Sequence, residues 1–268
     1  MTTRKTIFIT GGGSGIGRAV AQKFAAEGWF VGLADIDEAA MRATAALLPA
    51  GSSSAHKLDV RDRPACDTAL AACAAASGGQ IDVVFNNAGI PLGGQIIEHS
   101  IAEIECCLDI NLKGVIFGAQ AAHPWLKASA PGSCLLNTAS AAGIYGAAGT
   151  SIYAATKFGV RAITESLDAE WFPDGIKVRD LMPAFIDTPL LDQTPNHLTN
   201  ADIRGSVAEA GLEISPVSDV ADAAWTAVHG AKLHTLVGKT ALRVAFAARW
   251  LPGRLRNQVR NSARARGN

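Results

Sequence analysis

A chain of 268 residues holds one large domain or two small ones, and at 49% hydrophobic it can bury a sizeable core. Basic and acidic residues balance at 24 each, so no global charge favours nucleic acid or an acidic partner. Five cysteines without C-x-x-C spacing or histidine company point to neither a disulfide framework nor a metal site. No signal peptide and no membrane-spanning apolar run is read either, and a reducing, cytoplasmic setting is expected.

Apolar runs alternate with helix-like segments in chain order. Residues 6–9 read as a buried strand followed by a glycine-rich turn, and residues 16–27 as a helix closed by Gly28. A strand at 29–34, a helix at 37–48 stopped by Pro49, and a more polar strand at 54–58, suited to a sheet edge, come next. An Ala-rich helix at 63–76 and a strand at 81–85 lead to one long helix at 101–127, with a disturbance expected near Pro124. The series ends with strands at 133–137, 176–181 and 234–237 and a helix at 151–172. Such alternation predicts an α/β fold: one Rossmann-like, doubly wound parallel sheet with helices on both faces. Ligands of such sheets bind beyond the carboxyl ends of the strands. Residues 1–238 are expected to form that domain, and residues 239–268 a basic amphipathic tail.

The turn after the first strand is Thr10-Gly11-Gly12-Gly13-Ser14-Gly15-Ile16-Gly17. Gly11, Gly15 and Gly17 permit a tight turn and let a pyrophosphate approach a helix N-terminus, which makes Gly11, Ser14, Gly15, Ile16 and Gly17 candidate cofactor contacts. Asp35 ends the second strand, where a carboxylate can accept hydrogen bonds from both hydroxyls of an adenosine ribose and repel a 2′-phosphate. Neither Ser14 nor its neighbour Ile36 brings a positive charge, so NAD is expected rather than NADP. Asp35 can also cap the following helix, a compatible role. Asp59, followed by Val60, closes the third strand and can meet the adenine amino group or cap the next helix.

Tyr153 and Lys157 share one face of the helix at 151–172. A phenol with an ordinary pKa of about 10 is a poor base at neutral pH, and a fixed ammonium beside it lowers that value. The chain has only two tyrosines.

With Thr10-Gly11-x-x-x-Gly15-x-Gly17, Asn86-Asn87-Ala88-Gly89 after the fourth strand, Asn111, Ser140 and Tyr153-x-x-x-Lys157, the chain resembles the short-chain dehydrogenase/reductase family over roughly residues 5–240. The resemblance implies Tyr153 as general acid/base and Lys157 as the cation that lowers its pKa and holds the nicotinamide ribose. It implies Ser140 as the group that polarises the substrate oxygen, and Asn111 as the holder of a water behind Lys157. It also implies cofactor contacts from Asn87, Ala88, Gly89, Pro183, Ile186 and Thr188. Where the family usually has glycine this chain has Ala184, which requires that loop to avoid positive φ. The Asn86–Gly89 run has a structural use as well, since asparagine side chains can pin adjacent loops.

The substrate side is expected from residues 90–95, 141–150 and a lid at about 188–212. Their small and apolar residues favour a hydrophobic secondary alcohol or ketone; His99 and His197 are candidate polar contacts, though a surface histidine is the better account of each. The implied activity is interconversion of alcohol and ketone with NAD; the competing expectation is an idle NAD-binding regulator. A homodimer or homotetramer is expected. The tail, whose apolar positions alternate with arginines, fits packing within or between subunits better than contact with a membrane.

Overall fold

The computed structural model describes residues 4–266. Residues 1–3, at the start of the segment read as lacking a signal peptide, and 267–268, at the end of the basic tail, lie outside it. Seven strands form one parallel sheet: β1 (Thr6–Thr10), β2 (Phe30–Asp35), β3 (Ser53–Lys57), β4 (Val83–Asn86), β5 (Cys134–Thr138), β6 (Lys177–Pro183) and β9 (His234–Val237), in the order β3-β2-β1-β4-β5-β6-β9. The polar strand β3 does lie at the edge. A separate two-residue pair, β7 (Phe185–Ile186) with β8 (Ile214–Ser215), follows the sixth strand, too short to show periodicity in sequence.

Strand side chains alternate, so each strand feeds two cores. Ile7, Ile9, Val31 and Leu33 pack with Val20 and Phe24 of α1 (Gly15–Ala26), Met41 of α2 (Glu38–Ala45), and Val220 and Ala224 of α8 (Val217–His229). Phe8, Val84 and Leu135 face the other way, onto Leu70 and Cys73 of α3 (Arg63–Ser77) and Ala119 and Leu126 of α5 (Gly114–Ala128). Helix α6 (Ser151–Trp171) lies on this second face, with Val160 against Val115, Ala139 and Met182. The chain winds outward from β1 to β3 and then returns to β4 on the other side of β1. The carboxyl ends of β1 and β4 therefore flank the switch point at which such sheets bind ligands.

The long helix read at 101–127 is interrupted, but not at Pro124. Helix α4 (Ile101–Leu108) passes through a π-helical turn, Asp109–Lys113, into α5. Pro124 sits inside α5 without ending it: Pro124 and Gln120, whose carbonyl the missing N–H would have bonded, are both exposed, so water can serve that oxygen. The extra residue of the π turn turns Asn111 inward, fully buried.

One buried polar pair ties the far edge of the sheet. Asp180 on β6 is fully buried, and His234, its register partner on β9, places Nδ1 3.0 and 2.9 Å from its two carboxylate oxygens. The hydrogen bond to Asp180 holds His234 above the ordinary histidine pKa, while burial raises Asp180 itself. Because the folded-state value of His234 is raised, its contribution to stability is complete below about pH 6.5 and is lost as pH climbs through the folded value. Replacing His234 by Leu strands the Asp180 carboxylate. The unfolding free energy at neutral pH is expected to fall by about 3 kcal/mol, measured by chemical denaturation. A change below about 1 kcal/mol would mean that the pair contributes no more than a surface contact.

Candidate active site

The glycine turn has the shape its composition implies. Gly11 and Gly15 hold φ of +66° and +50°, and a Cβ on Gly17 would come within 2.1 Å of the Gly11 carbonyl oxygen. The turn is braced from below. Gly12 N–H donates to Ala34 O at 3.0 Å, and both Arg18 (2.6 Å) and Thr44 (3.0 Å) donate to the Gly13 carbonyl. Ser14 stands exposed at the N-terminus of α1, and its side chain makes no cap hydrogen bond, so it does not close the helix end to an anion. Ile16 is half-buried beside it.

Asp35 is half-buried at the end of β2. Its oxygens accept from Gly13 N–H at 2.9 Å and Asp37 N–H at 3.1 Å, which aims the carboxylate across the turn and leaves lone pairs for further donors. The capping role belongs instead to Asp37, which accepts from Ala40 N–H at 2.9 Å. Arg18, the cation at this turn, is committed to Gly13 and Thr44. Ile36 is exposed next to Asp35. Asp59 likewise caps no helix: Asp62 caps α3, and both Asp59 oxygens are held by Arg61, which keeps the Asp59 pKa low. Val60 lines a narrow crevice with Thr10, Ala88, Ile110 and Gly114.

The run after β4 pins loops together, as its asparagines suggest. Asn87 Nδ2 donates to Thr10 O at 3.0 Å, and its Oδ1 accepts from Thr138 at 3.2 Å. Thr10 Oγ1 accepts from the backbone N–H groups of both Asn87 and Ala88, a role the sequence did not single out. Asn86 is wholly structural, buried between Val115 O and Asn137 Oδ1. Asn111 is clamped through both ends of its carboxamide to Ile90, accepting from N and donating to O at 2.8 Å each. A Cβ on Gly89 would lie 3.2 Å from Asn111 Oδ1 and 3.8 Å from Lys157 Nζ, so Gly89 lies beside both side chains.

Ser140, Tyr153 and Lys157 converge at the carboxyl end of β5. Ser140 Oγ accepts from Ala142 N–H at 3.1 Å and donates to Pro183 O at 3.4 Å, and it lies near enough to the Tyr153 hydroxyl to act on its pKa. Lys157 is buried, donates to Thr138 O at 2.8 Å, and lies 5.6 Å from the centre of the Tyr153 ring. The expectation that Lys157 lowers the phenol pKa is not met by the chain's own groups. Burial pushes Tyr153 up to about 12, opposed by the nearby Ser140 hydroxyl, and the same burial pushes Lys157 down to about 8. The reason is geometric: the ammonium faces the Thr138 carbonyl and the face of the ring, so desolvation outweighs its attraction for a phenolate. Tyr153 as a whole is half-buried.

The segment after β6 closes over this group. A Cβ on Gly15 would stand 3.3 Å from Thr188, so Thr188 sits directly against the glycine turn. Thr188 is buried, and its hydroxyl donates to Ile186 O at 3.2 Å. Ala184 raises no conflict, because no described non-glycine residue has positive φ. Arg204 on α7 (Ile203–Glu209) holds the loop through Asp192 (2.6 Å), Asp187 (2.7 Å) and Thr188 O (3.3 Å).

Beyond it, Asn196 Nδ2 donates to Gly93 O at 2.7 Å, and Gly93 N–H donates to Pro195 O at 2.9 Å. His197 is a surface histidine, as expected, and is tied down there: its backbone N–H and Nδ1 both engage Glu103, at 2.9 and 2.8 Å. Glu103, which also caps α4 with Ser100, is held down to about 2; burial pushes it up, but the hydrogen bonds of Ser100 and His197 outweigh that. Between these ties lies a pocket lined by Ile90, Leu92, Cys106 and Pro195 and by the paired Glu103 and His197. His99 departs from expectation, with both ring nitrogens buried and unpartnered.

The chain matches the family model described as short chain dehydrogenase over residues 5–199. It is 34% identical over 194 residues, 72% of this chain and 76% of the other, to meso-2,3-butanediol dehydrogenase of Serratia marcescens. It is 35% identical over 211 residues, 79% of each chain, to a 3-alpha-(or 20-beta)-hydroxysteroid dehydrogenase of Mycobacterium bovis. Among solved structures, a short chain dehydrogenase/reductase from Burkholderia phymatum in complex with NAD superposes with a TM-score of 0.81 at 27% identity, over 91% of this chain and 93% of that one. The chain therefore belongs to the short-chain dehydrogenase family, and it is an oxidoreductase acting on CH–OH groups.

Proposed function

We propose that the protein interconverts a hydrophobic secondary alcohol and its ketone with NAD, Tyr153 acting as general acid/base. The observation that carries this reading is the convergence of Ser140, Tyr153 and Lys157 at one end of the sheet while Thr188 roofs the glycine turn. That turn fits a dinucleotide. Its glycines leave a bare cradle at the N-terminus of α1, Ser14 leaves the helix end uncapped, and Asp35 stands where ribose hydroxyls need an acceptor. The two named relatives are, by name, dehydrogenases of a small diol and of a steroid, which supports a secondary alcohol. The NAD complex of the structural neighbour supports the choice of cofactor.

When bound, NAD accepts or returns the hydride. The chain's own residues handle the proton. Ser140 holds the substrate oxygen against the Tyr153 hydroxyl, and Tyr153 takes a proton from an alcohol or gives one to a ketone. Lys157 holds the ribose and, once a phenolate forms, balances its charge. Gly11, Ser14, Gly15, Ile16 and Gly17 cradle the pyrophosphate, with Asp35 and Ile36 at the ribose and Asp59 and Val60 at the adenine. Asn87, Ala88 and Gly89 flank the adenosine side, and Pro183, Ile186 and Thr188 the nicotinamide. Asn111 fixes the Ile90 backbone beside Lys157. The pocket lined by Ile90, Leu92 and Pro195, with Glu103 and His197 at its wall, takes the substrate, with 188–212 as its lid and residues 1–238 as one catalytic domain.

Leu108, Ile116 and Phe158 lie exposed on α4, α5 and α6, which supports a homodimer or homotetramer. Replacing Asp35 by Ala tests the cofactor assignment. Affinity for NAD is expected to fall about tenfold or more while discrimination against NADP narrows, both read by titration calorimetry. Unchanged preference between the two dinucleotides would contradict the role given to Asp35.

A further inference from the structure

We propose that the C-terminal helical hairpin is a docking surface for an anionic lipid bilayer. Helix α9 (Lys239–Trp250) is followed by α10 (Pro252–Arg266), which packs against it. The pair is seated on the body through α9, which packs on β9 and whose Ala241 is fully buried; Leu255 of α10 is 6% exposed. Docking in that way turns a different stripe outward. Leu242, Phe246 and Trp250, spaced by four on one face of α9, remain 55%, 59% and 63% exposed.

Charge supplies the second observation. Residues 239–268 contain Lys239 and seven arginines and no Asp or Glu. Removing those eight from the 24 basic residues leaves 16 against 24 acidic ones, so the cationic character is concentrated in the tail. Lys239 pairs with Glu213. Arg243, Arg249, Arg254, Arg256 and Arg260 are exposed, and among the described residues none pairs with a carboxylate; Arg249 lies against the Trp250 ring at 5.2 Å.

An exposed apolar and aromatic stripe flanked by unpaired arginines matches an anionic interface, where rings enter the headgroup region and guanidinium groups meet phosphate and carboxylate. A second copy meeting this face through a two-fold axis would bring acid-free, like-charged surfaces together. The geometry also favours a lipophilic substrate. Helix α9 packs on the Ala141–Gly143 turn that follows Ser140, so the docked face adjoins the substrate side. Membrane binding itself does not depend on the reaction proposed above.

Flotation of the full chain with vesicles of phosphatidylcholine, alone or mixed with phosphatidylserine, tests the proposal. The protein is expected to float with the mixed vesicles about tenfold more than with the neutral ones, and less as salt rises. The Leu242→Ser, Phe246→Ser, Trp250→Ser triple variant should lose flotation, and so should a variant with Arg243, Arg254, Arg256 and Arg260 changed to Gln. Circular-dichroism melting of both should match the unaltered chain, since every altered side chain is exposed. Equal or absent flotation with the two vesicle types overturns the proposal. So does a triple variant that still floats as the parent does. A triple variant whose mass drops to that of one chain in light scattering, with no flotation of the parent, would instead assign the face to a second copy.

Discussion

Replacing Tyr153 by Phe is expected to lower kcat about a thousandfold while dinucleotide affinity changes by less than about twofold. The substitution deletes one oxygen and keeps the ring that fills the space beside Lys157 and Ser140. What is lost is the group that exchanges a proton with the substrate. The environment of Tyr153 adds a pH signature. Burial pushes its hydroxyl up to about 12, so alcohol oxidation, which needs a deprotonated acceptor, should rise with pH through the neutral and alkaline range. Ketone reduction, which needs the phenol proton, should not share that rise. The same burial sets Lys157 near 8, so its charge declines over the upper part of that range and flattens the oxidative rise there. Rates in both directions across a pH series check this. Equal profiles for the two directions would argue against a proton held on Tyr153, and loss of dinucleotide binding in the Phe variant would assign Tyr153 to the cofactor rather than the chemistry.

Gly17→Ala should have the largest effect on the nucleotide side. The added methyl would come within 2.1 Å of the Gly11 carbonyl oxygen and 2.9 Å of Asn87 Nδ2. The first of these is backbone in a turn tied to Ala34, Arg18 and Thr44, so it cannot retreat without breaking the brace. The turn must open, and it carries Gly11 away from Asn87 and the start of α1 away from the sheet. Dinucleotide affinity is expected to fall by about a hundredfold or more, with a stability loss of about 1–3 kcal/mol. Titration calorimetry and chemical denaturation of the same sample separate the two. Native affinity in the alanine variant would mean that the pyrophosphate does not approach this turn.

Much of this architecture was legible because local signals and tertiary demands agree. The apolar run 6–9, the glycines and the amphipathic segment 16–27 each point to the same strand, turn and helix, and the polar strand at 54–58 lies at the sheet edge it suits. The long helix shows the limit. Pro124 is a strong local breaker, but its exposure let the helix absorb it, whereas the real interruption at Asn111 is set by Ile90, distant in sequence. Helix spacing correctly put Tyr153 and Lys157 on one face. It carried no information on burial or on the Thr138 carbonyl that receives the ammonium, and those reverse the expected shift of the phenol. The capping alternatives for Asp35 and Asp59 failed for a simpler reason: Asp37 and Asp62, two and three residues later, stand at the helix starts. The tail's mixture of arginines and apolar residues was visible in sequence. Which apolar face stays outward depends on α9 burying Ala241 on the other one.

Hydride transfer from carbon gives the most direct test. The purified protein would be supplied with NAD and a panel of apolar secondary alcohols, each with hydrogen or deuterium on the carbinol carbon, while the absorbance of reduced nicotinamide is followed. Reduced nicotinamide is predicted to accumulate with at least one apolar alcohol and to carry the deuterium when the labelled alcohol is used. Saturating NAD binding with no reduced nicotinamide from any alcohol, and none consumed with the matching ketones, would contradict the account.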